Sequence, residues 1–183
     1  MTRNTHGGGA QTNINGLRFE KKISLDDVLQ AAGYKIIDKK VYDNKCIGLS
    51  IPKYSLYKEL LKPQSIDYKL FNSVQWLPDE CFVNYKTKTA YIIEKKFQNS
   101  SGSVDEKLAA CDFKRREYLK LFSQLGYRVE YIFVFSDWFT HERYKDILEY
   151  IKDVGCHYYF DEIPLSCIGS VSYTHLTLPT TSR

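Results

Sequence analysis

The spacing of apolar positions changes several times along the chain, and each change marks an expected element. Leu17, Phe19, Ile23, Leu25, Val28 and Leu29 recur at helical spacing, with Ser24 as an internal cap and Gly33 as the stop. One kinked helix or two short ones should result. Between Tyr34 and Ser73, "YKIIDKKVYD" and "KCIGLSI" read as short strands and "KYSLYKELL" as a helix after the Pro52 breaker. Residues 74–84 and 89–98 form the clearest hairpin, because β-branched and aromatic residues flank the polar turn "YKTK".

A long helix is predicted from Val104 to about Leu125, with Ser103 at its N-cap, Glu106 completing a capping box and Gly126 closing it. "RVEYIFVFS" is a buried strand. A second amphipathic helix starts at Thr140 and gathers Tyr144, Ile147, Leu148, Ile151 and Val154 on one face, and "CHYYFDEIPL" is the final strand. This order predicts an α/β domain, a mixed β-sheet with flanking helices.

Composition narrows the class. With 183 residues, 43% hydrophobic and 15% aromatic, the chain suits one globular domain, placed at residues 16–169. Residues 1–15, rich in Gly, Asn and Thr, read as a flexible arm; "GGG" lacks the surroundings of a phosphate loop. Residues 170–183 break the pattern and resemble a sequencing adapter read as coding sequence, so they are set aside as a non-native tail and a natural C-terminal segment is expected to be missing.

Five scattered cysteines, never at zinc-ligand spacing, predict reduced thiols, and no apolar run approaches a secretion signal or a membrane span. A soluble, cytoplasmic protein is expected. The formal charge of +4 permits a polyanionic partner without demanding one. His141 and His157 have no partner at metal or nucleophile spacing, so both are assigned structural roles.

The hairpin carries the chemistry. If its turn is centred between Lys86 and Thr87, Asp79 falls opposite Glu94, with Cβ atoms roughly 5 Å apart, where two carboxylates repel unless a cation lies between them. Alternation puts Glu94, Lys96 and Gln98 on one side of the strand and Tyr91, Ile93 and Phe97 on the other. One face is expected to be polar and the other core. Adjacent hard oxygen ligands suit Mg²⁺, which shares its remaining positions with waters and phosphate oxygens, and an ammonium at Lys96 would offset charge developing on the phosphate.

Pro78-Asp79 followed after a hairpin by Glu94-Lys95-Lys96 resembles the PD-(D/E)XK nuclease signature, and "EKKFQNSSGSVDEKLAACDFKRREY" is similar to the catalytic strand and following helix of type II restriction endonucleases. The resemblance runs from residue 10 to about 135 and implies a restriction-endonuclease-like core, with Asp79, Glu94 and the Lys95 carbonyl on Mg²⁺ (or Mn²⁺ as a substitute). Lys96 would position the nucleophile, with Glu20 and Gln98 as supporting catalytic candidates. One departure stands out: Lys95 occupies a position usually apolar, and its ammonium must reach the sheet edge or pair with an acid.

The implied activity is Mg²⁺-dependent hydrolysis of double-stranded DNA by a homodimer of the restriction type. Alternatives are a repair or junction-resolving nuclease of the same fold and a non-catalytic DNA-binding module. On the helix, Lys107, Cys111 and Lys114 share a stripe with Arg115 beside it, opposite Leu108, Leu119 and Phe122. Lys107, Lys114 and Arg115 are therefore candidates for the DNA backbone, with Ser103 at the helix N-terminus as a phosphate anchor. Trp76, Tyr85 and Trp138 are aromatic candidates for stacking on bases.

Overall fold

The computed structural model describes residues 15–16, 18–19, 23–98 and 105–169. Glu20, Ser103, the N-terminal arm up to residue 14 and the tail from residue 170 lie outside the described residues.

Seven strands lie side by side in chain order: β1 (Lys35–Ile37), β2 (Lys40–Asp43), β3 (Lys45–Ser50), β4 (Glu80–Asn84), β5 (Thr89–Lys96), β6 (Arg128–Phe135) and β7 (His157–Phe160). Neighbours are antiparallel from β1 to β5 and parallel from β5 to β7. The switch has a simple cause. Antiparallel neighbours can follow one another through tight turns, whereas parallel neighbours need a crossover, here supplied by helices after β5 and β6.

The helices are α1 (Leu25–Ala31), the single turn α2 (Asp105–Leu108), α3 (Cys111–Phe122) and α4 (Lys145–Asp153). Ser24 caps α1 by accepting the Asp27 N–H at 3.4 Å, as the sequence predicts. Gly126, with φ of 72°, closes the segment after α3 in the left-handed conformation that glycine adopts without strain.

Several local expectations need correction, and the first strand of the hairpin, expected from residue 74, begins at Glu80. The helix from Val104 to Leu125 is broken at Ala109–Ala110, and a 3₁₀ turn replaces its last three residues. Alanines are the best helix formers, so propensity does not set the break; packing does, with Leu108 and Cys111 fully buried on either side. The segment after Pro52 is π-helical at Leu56–Leu61, and the second amphipathic helix starts at Lys145 after two 3₁₀ turns rather than at Thr140.

The sheet is covered on both faces. Ala90, Ile92, Tyr131, Phe133 and Phe135 pack with Tyr118, Leu121, Phe122 and Ile151 of α3 and α4, while Tyr91, Ile93, Ile132 and Val134 pack with Leu25 and Leu29 of α1. The expected division of β5 into a polar face and a core face is therefore wrong for most of its length. A central strand with a parallel neighbour is buried on both sides, and its charged groups are confined to its last three residues, Glu94, Lys95 and Lys96.

The β4–β5 register is the expected one, with Glu80 opposite Ile93 and Asn84 opposite Thr89. Asn84 fixes it. Its Oδ1 accepts the N–H groups of Lys86 (2.9 Å) and Thr87 (3.1 Å), and its Nδ2 donates to the Ile168 carbonyl at 3.1 Å, tying the hairpin turn to the end of the described chain. No helix among the described residues is long and apolar enough to cross a membrane.

Candidate active site

β4 and β5 place two carboxylates at one end of the hairpin. Asp79 stands immediately before β4, where its Oδ2 accepts the backbone N–H of Lys95 at 2.8 Å and so continues the ladder by one side-chain bond. Glu94 lies on β5, on the side that faces α3, and is only 5% exposed. Lys96 follows two residues later on the same side. Its Nζ donates to Glu94 Oε2 at 3.0 Å and to the Lys95 carbonyl at 3.2 Å, and lies 3.9 Å from Asp79 Oδ2.

One ammonium thus gathers both carboxylates and a main-chain carbonyl. These are hard oxygen donors, and the place among them already holds a positive charge, so the set fits a small divalent cation. Among the described residues no three of His, Cys, Asp and Glu form a metal-holding group, so a cation at this pair would need waters or other oxygens to complete its shell.

A second lysine converges on the same place. Lys114 of α3 brings its Nζ to 3.7 Å from Glu94 Oε1, and that ammonium sits 5.5 Å from the centre of the Trp76 ring, a cation–π arrangement. Trp76 in turn meets Phe113 edge-on at 6.0 Å. Tyr118, one turn beyond Lys114, and Tyr131 on β6 lie close enough to Glu94 that burial first, and its charge second, raise both phenol pKa values. Both hydroxyls stay protonated.

The face of β5 turned away from Glu94 explains the unusual Lys95. Its Nζ donates to Glu80 Oε1 at 2.7 Å, so the lysine pairs with an acid inside the protein. Burial raises the Glu80 carboxyl above its ordinary range against the pull of Lys95. Asp26, whose charge also acts on Glu80, accepts the Ser50 hydroxyl at 2.5 Å, which links α1 to this network.

A comparison with protein families matches the model of the PD-(D/E)XK nuclease superfamily domain to residues 11–120, a span that includes the whole hairpin and most of α3. The chain belongs to the PD-(D/E)XK nuclease superfamily. Searches among curated proteins and among solved structures found no match. As a nuclease domain it acts on nucleic acid, and nucleases of this superfamily generally use divalent metals.

The other sequence-selected residues separate. Lys107 is exposed on α2, and Lys114 reaches Glu94 from α3, so the two do not form one continuous stripe. Cys111, read with the lysines, is fully buried in the core with Cys156. Leu119, read as apolar-side, is exposed. Arg115 turns toward α4, donating to Asp112 Oδ1 at 2.9 Å and to the Val154 carbonyl at 3.2 Å. Gln98 lies past β5, its backbone tied both ways to the Ser136 hydroxyl at 3.3 Å. Glu20 and Ser103 are outside the described residues.

Trp138 donates to the Tyr144 hydroxyl at 2.9 Å and is part of the packing around α4. Tyr85 is half-buried, with its pKa pushed up to about 12 by burial. His141 accepts the Arg143 N–H, and His157 pairs with Glu130 at 3.1 Å.

Sequence reasoning missed Glu80 as the partner of Lys95 and Lys114 as a neighbour of Glu94. The second had a signal: Lys114 lies three residues after the buried Cys111 and four before the buried Tyr118, which places it on the inward side of α3.

Proposed function

We propose that this chain is a Mg²⁺-dependent endonuclease that hydrolyses phosphodiester bonds of double-stranded DNA, of the type II restriction kind. The observation that supports this most is the Lys96 ammonium held among Asp79, Glu94 and the Lys95 carbonyl, a cation standing in the oxygen set that a divalent ion would take. In this reading Asp79, Glu94 and the Lys95 carbonyl hold Mg²⁺, with Mn²⁺ as a substitute. When bound, the ion polarises the phosphate and makes bound water more acidic.

The chain's own groups do the rest. Lys96, on a flexible stem, orients the attacking water and offsets the negative charge that builds on the phosphate oxygens. The water oxygen bonds to phosphorus and releases a proton to solvent as the bond to the leaving deoxyribose oxygen breaks, and that oxygen takes up a proton from solvent. Lys114 adds a second positive charge beside Glu94. Lys107 and Ser103 are assigned to the flanking backbone, and Glu20 and Gln98 to support of the site; Arg115 is left to brace α3 against α4. The restriction reading carries a homodimer, because two sites are needed to cut both strands.

The test is digestion of plasmid DNA with Mg²⁺, with EDTA and Asp79→Ala as controls. Discrete fragments that vanish in both controls support the reading. Cutting that survives Asp79→Ala and chelation refutes it.

A further inference from the structure

Within the segment that joins β3 to β4 the molecule has a cleft of about 600 Å³, within the range of roughly 300–1,000 Å³ that small ligands occupy. Its walls are aromatic. Tyr57 and Tyr68 meet edge-on with ring centres 5.5 Å apart, and Tyr54, 65% exposed, stands at the mouth. Lys58 and Lys62, four and eight residues after Tyr54, line the same cleft, as does Asp67, whose carboxylate accepts the Lys69 N–H at 3.0 Å. Lys58 also pairs with the exposed Glu59 at 3.4 Å, a contact too solvated to hold it firmly.

A chain of contacts links the cleft wall to the site. The Tyr57 hydroxyl donates to the Trp76 carbonyl at 2.6 Å, the Trp76 ring lies under Lys114, and Lys114 faces Glu94. A π-helical segment, Leu56–Leu61, forms the wall, and such segments occur often at functional sites.

We infer that this cleft receives an unstacked nucleobase of the substrate strand, held on the Tyr54 ring with its phosphate toward Lys58 and Lys62. The chemistry of the lining selects that ligand. A flat aromatic group matches the tyrosine faces, and the two lysines call for an anion next to it, a combination that a nucleotide supplies. The inference rests on the nuclease reading and narrows it, since a base can enter only from a single strand or by leaving a duplex.

The experiment measures binding of the full chain without divalent metal, by fluorescence anisotropy, to an oligothymidylate and to an abasic strand of equal length that keeps the phosphates but lacks bases. The base-bearing strand should bind roughly ten-fold more tightly. Tyr54→Ala should erase most of that preference and leave the abasic affinity unchanged, while Tyr54→Phe keeps it. Because Tyr54 is exposed, its loss spares the fold. Tighter binding of a duplex carrying one unpaired thymidine than of a perfect duplex identifies an extrahelical base as the source; preference for the oligothymidylate alone identifies single strands.

Equal affinity for base-bearing and abasic strands, or no effect of Tyr54→Ala, overturns the inference. Metal-dependent cleavage, measured separately, reports on the nuclease reading. If cleavage is present while Tyr54→Ala has no effect, only the cleft assignment falls. If cleavage is absent while the base preference depends on Tyr54, only the catalytic reading falls.

Discussion

Lys95 and Glu80 form an ion pair of 2.7 Å behind the strand whose other face carries Glu94. The same lysine's backbone N–H holds Asp79 at 2.8 Å, so one residue of β5 braces two consecutive acids at the start of β4, one through its side chain and one through its backbone. The side chains are 4% and 12% exposed, which makes the pair costly to break.

Lys95→Met should therefore destabilise the protein by about 3–5 kcal/mol at neutral pH, because the buried Glu80 loses its compensating cation. Replacing both, as Glu80→Leu with Lys95→Met, should recover most of that loss. Urea unfolding checks both variants. The single variant also has a pH signature: without Lys95 the folded-state pKa of Glu80 rises further above its unfolded value, so the folded state holds the proton more tightly. Its stability then increases as pH falls through that raised pKa, and the deficit against the parent shrinks in acid.

Asp79→Ala and Glu94→Gln should each lower metal-dependent cleavage by about a thousand-fold or more, the scale of several kcal/mol that a Lewis-acid cation supplies. In thermal unfolding, added Mg²⁺ should raise the Tm of the parent and leave that of Asp79→Ala unmoved. A Tm rise of equal size in both would place the metal elsewhere.

Lys114→Met should reduce kcat on the order of 10²-fold while the protein stays folded, since it removes a positive group positioned against Glu94 and leaves the sheet core intact. Arg115→Met, by contrast, should leave kcat close to the parent's and act on stability, because its partners are Asp112 and the Val154 carbonyl.

Asn84→Ala should cost about 1–3 kcal/mol, the penalty for stripping partners from buried backbone groups of the hairpin turn and the C-terminal segment. Chemical denaturation measures it. The metal requirement of any cleavage should not change.

Much of the sheet could be read in advance, since runs such as Arg128–Phe135 are β-branched and aromatic enough to leave little choice, and the turn "YKTK" sets the hairpin register. What escaped were features decided by packing between distant segments. Nothing local marks Ala109–Ala110 as a break, because two alanines favour the helix they interrupt. The division of β5 into polar and apolar faces failed for the same reason: alternation reports one buried face, whereas a strand sandwiched between α1 and α3 has two.

Asp79, Glu94 and Lys96 were legible as a group because they flank a single turn. Lys95 announced only a problem, and Glu80 resolves it from the facing strand. Lys114 was visible as a cation, but which way it pointed depended on how α3 docks on the sheet.

The ammonium of Lys96 has a bearing on how this protein would live between encounters with its ion. Where a metal is the only neutralising charge, its removal unfolds the site. Here the chain carries an internal counterion beside Glu94, which would relieve carboxylate repulsion in advance and let assembly proceed without mineral supply. A chelator would silence such a molecule while leaving it intact, ready to be switched on again when the ion returns.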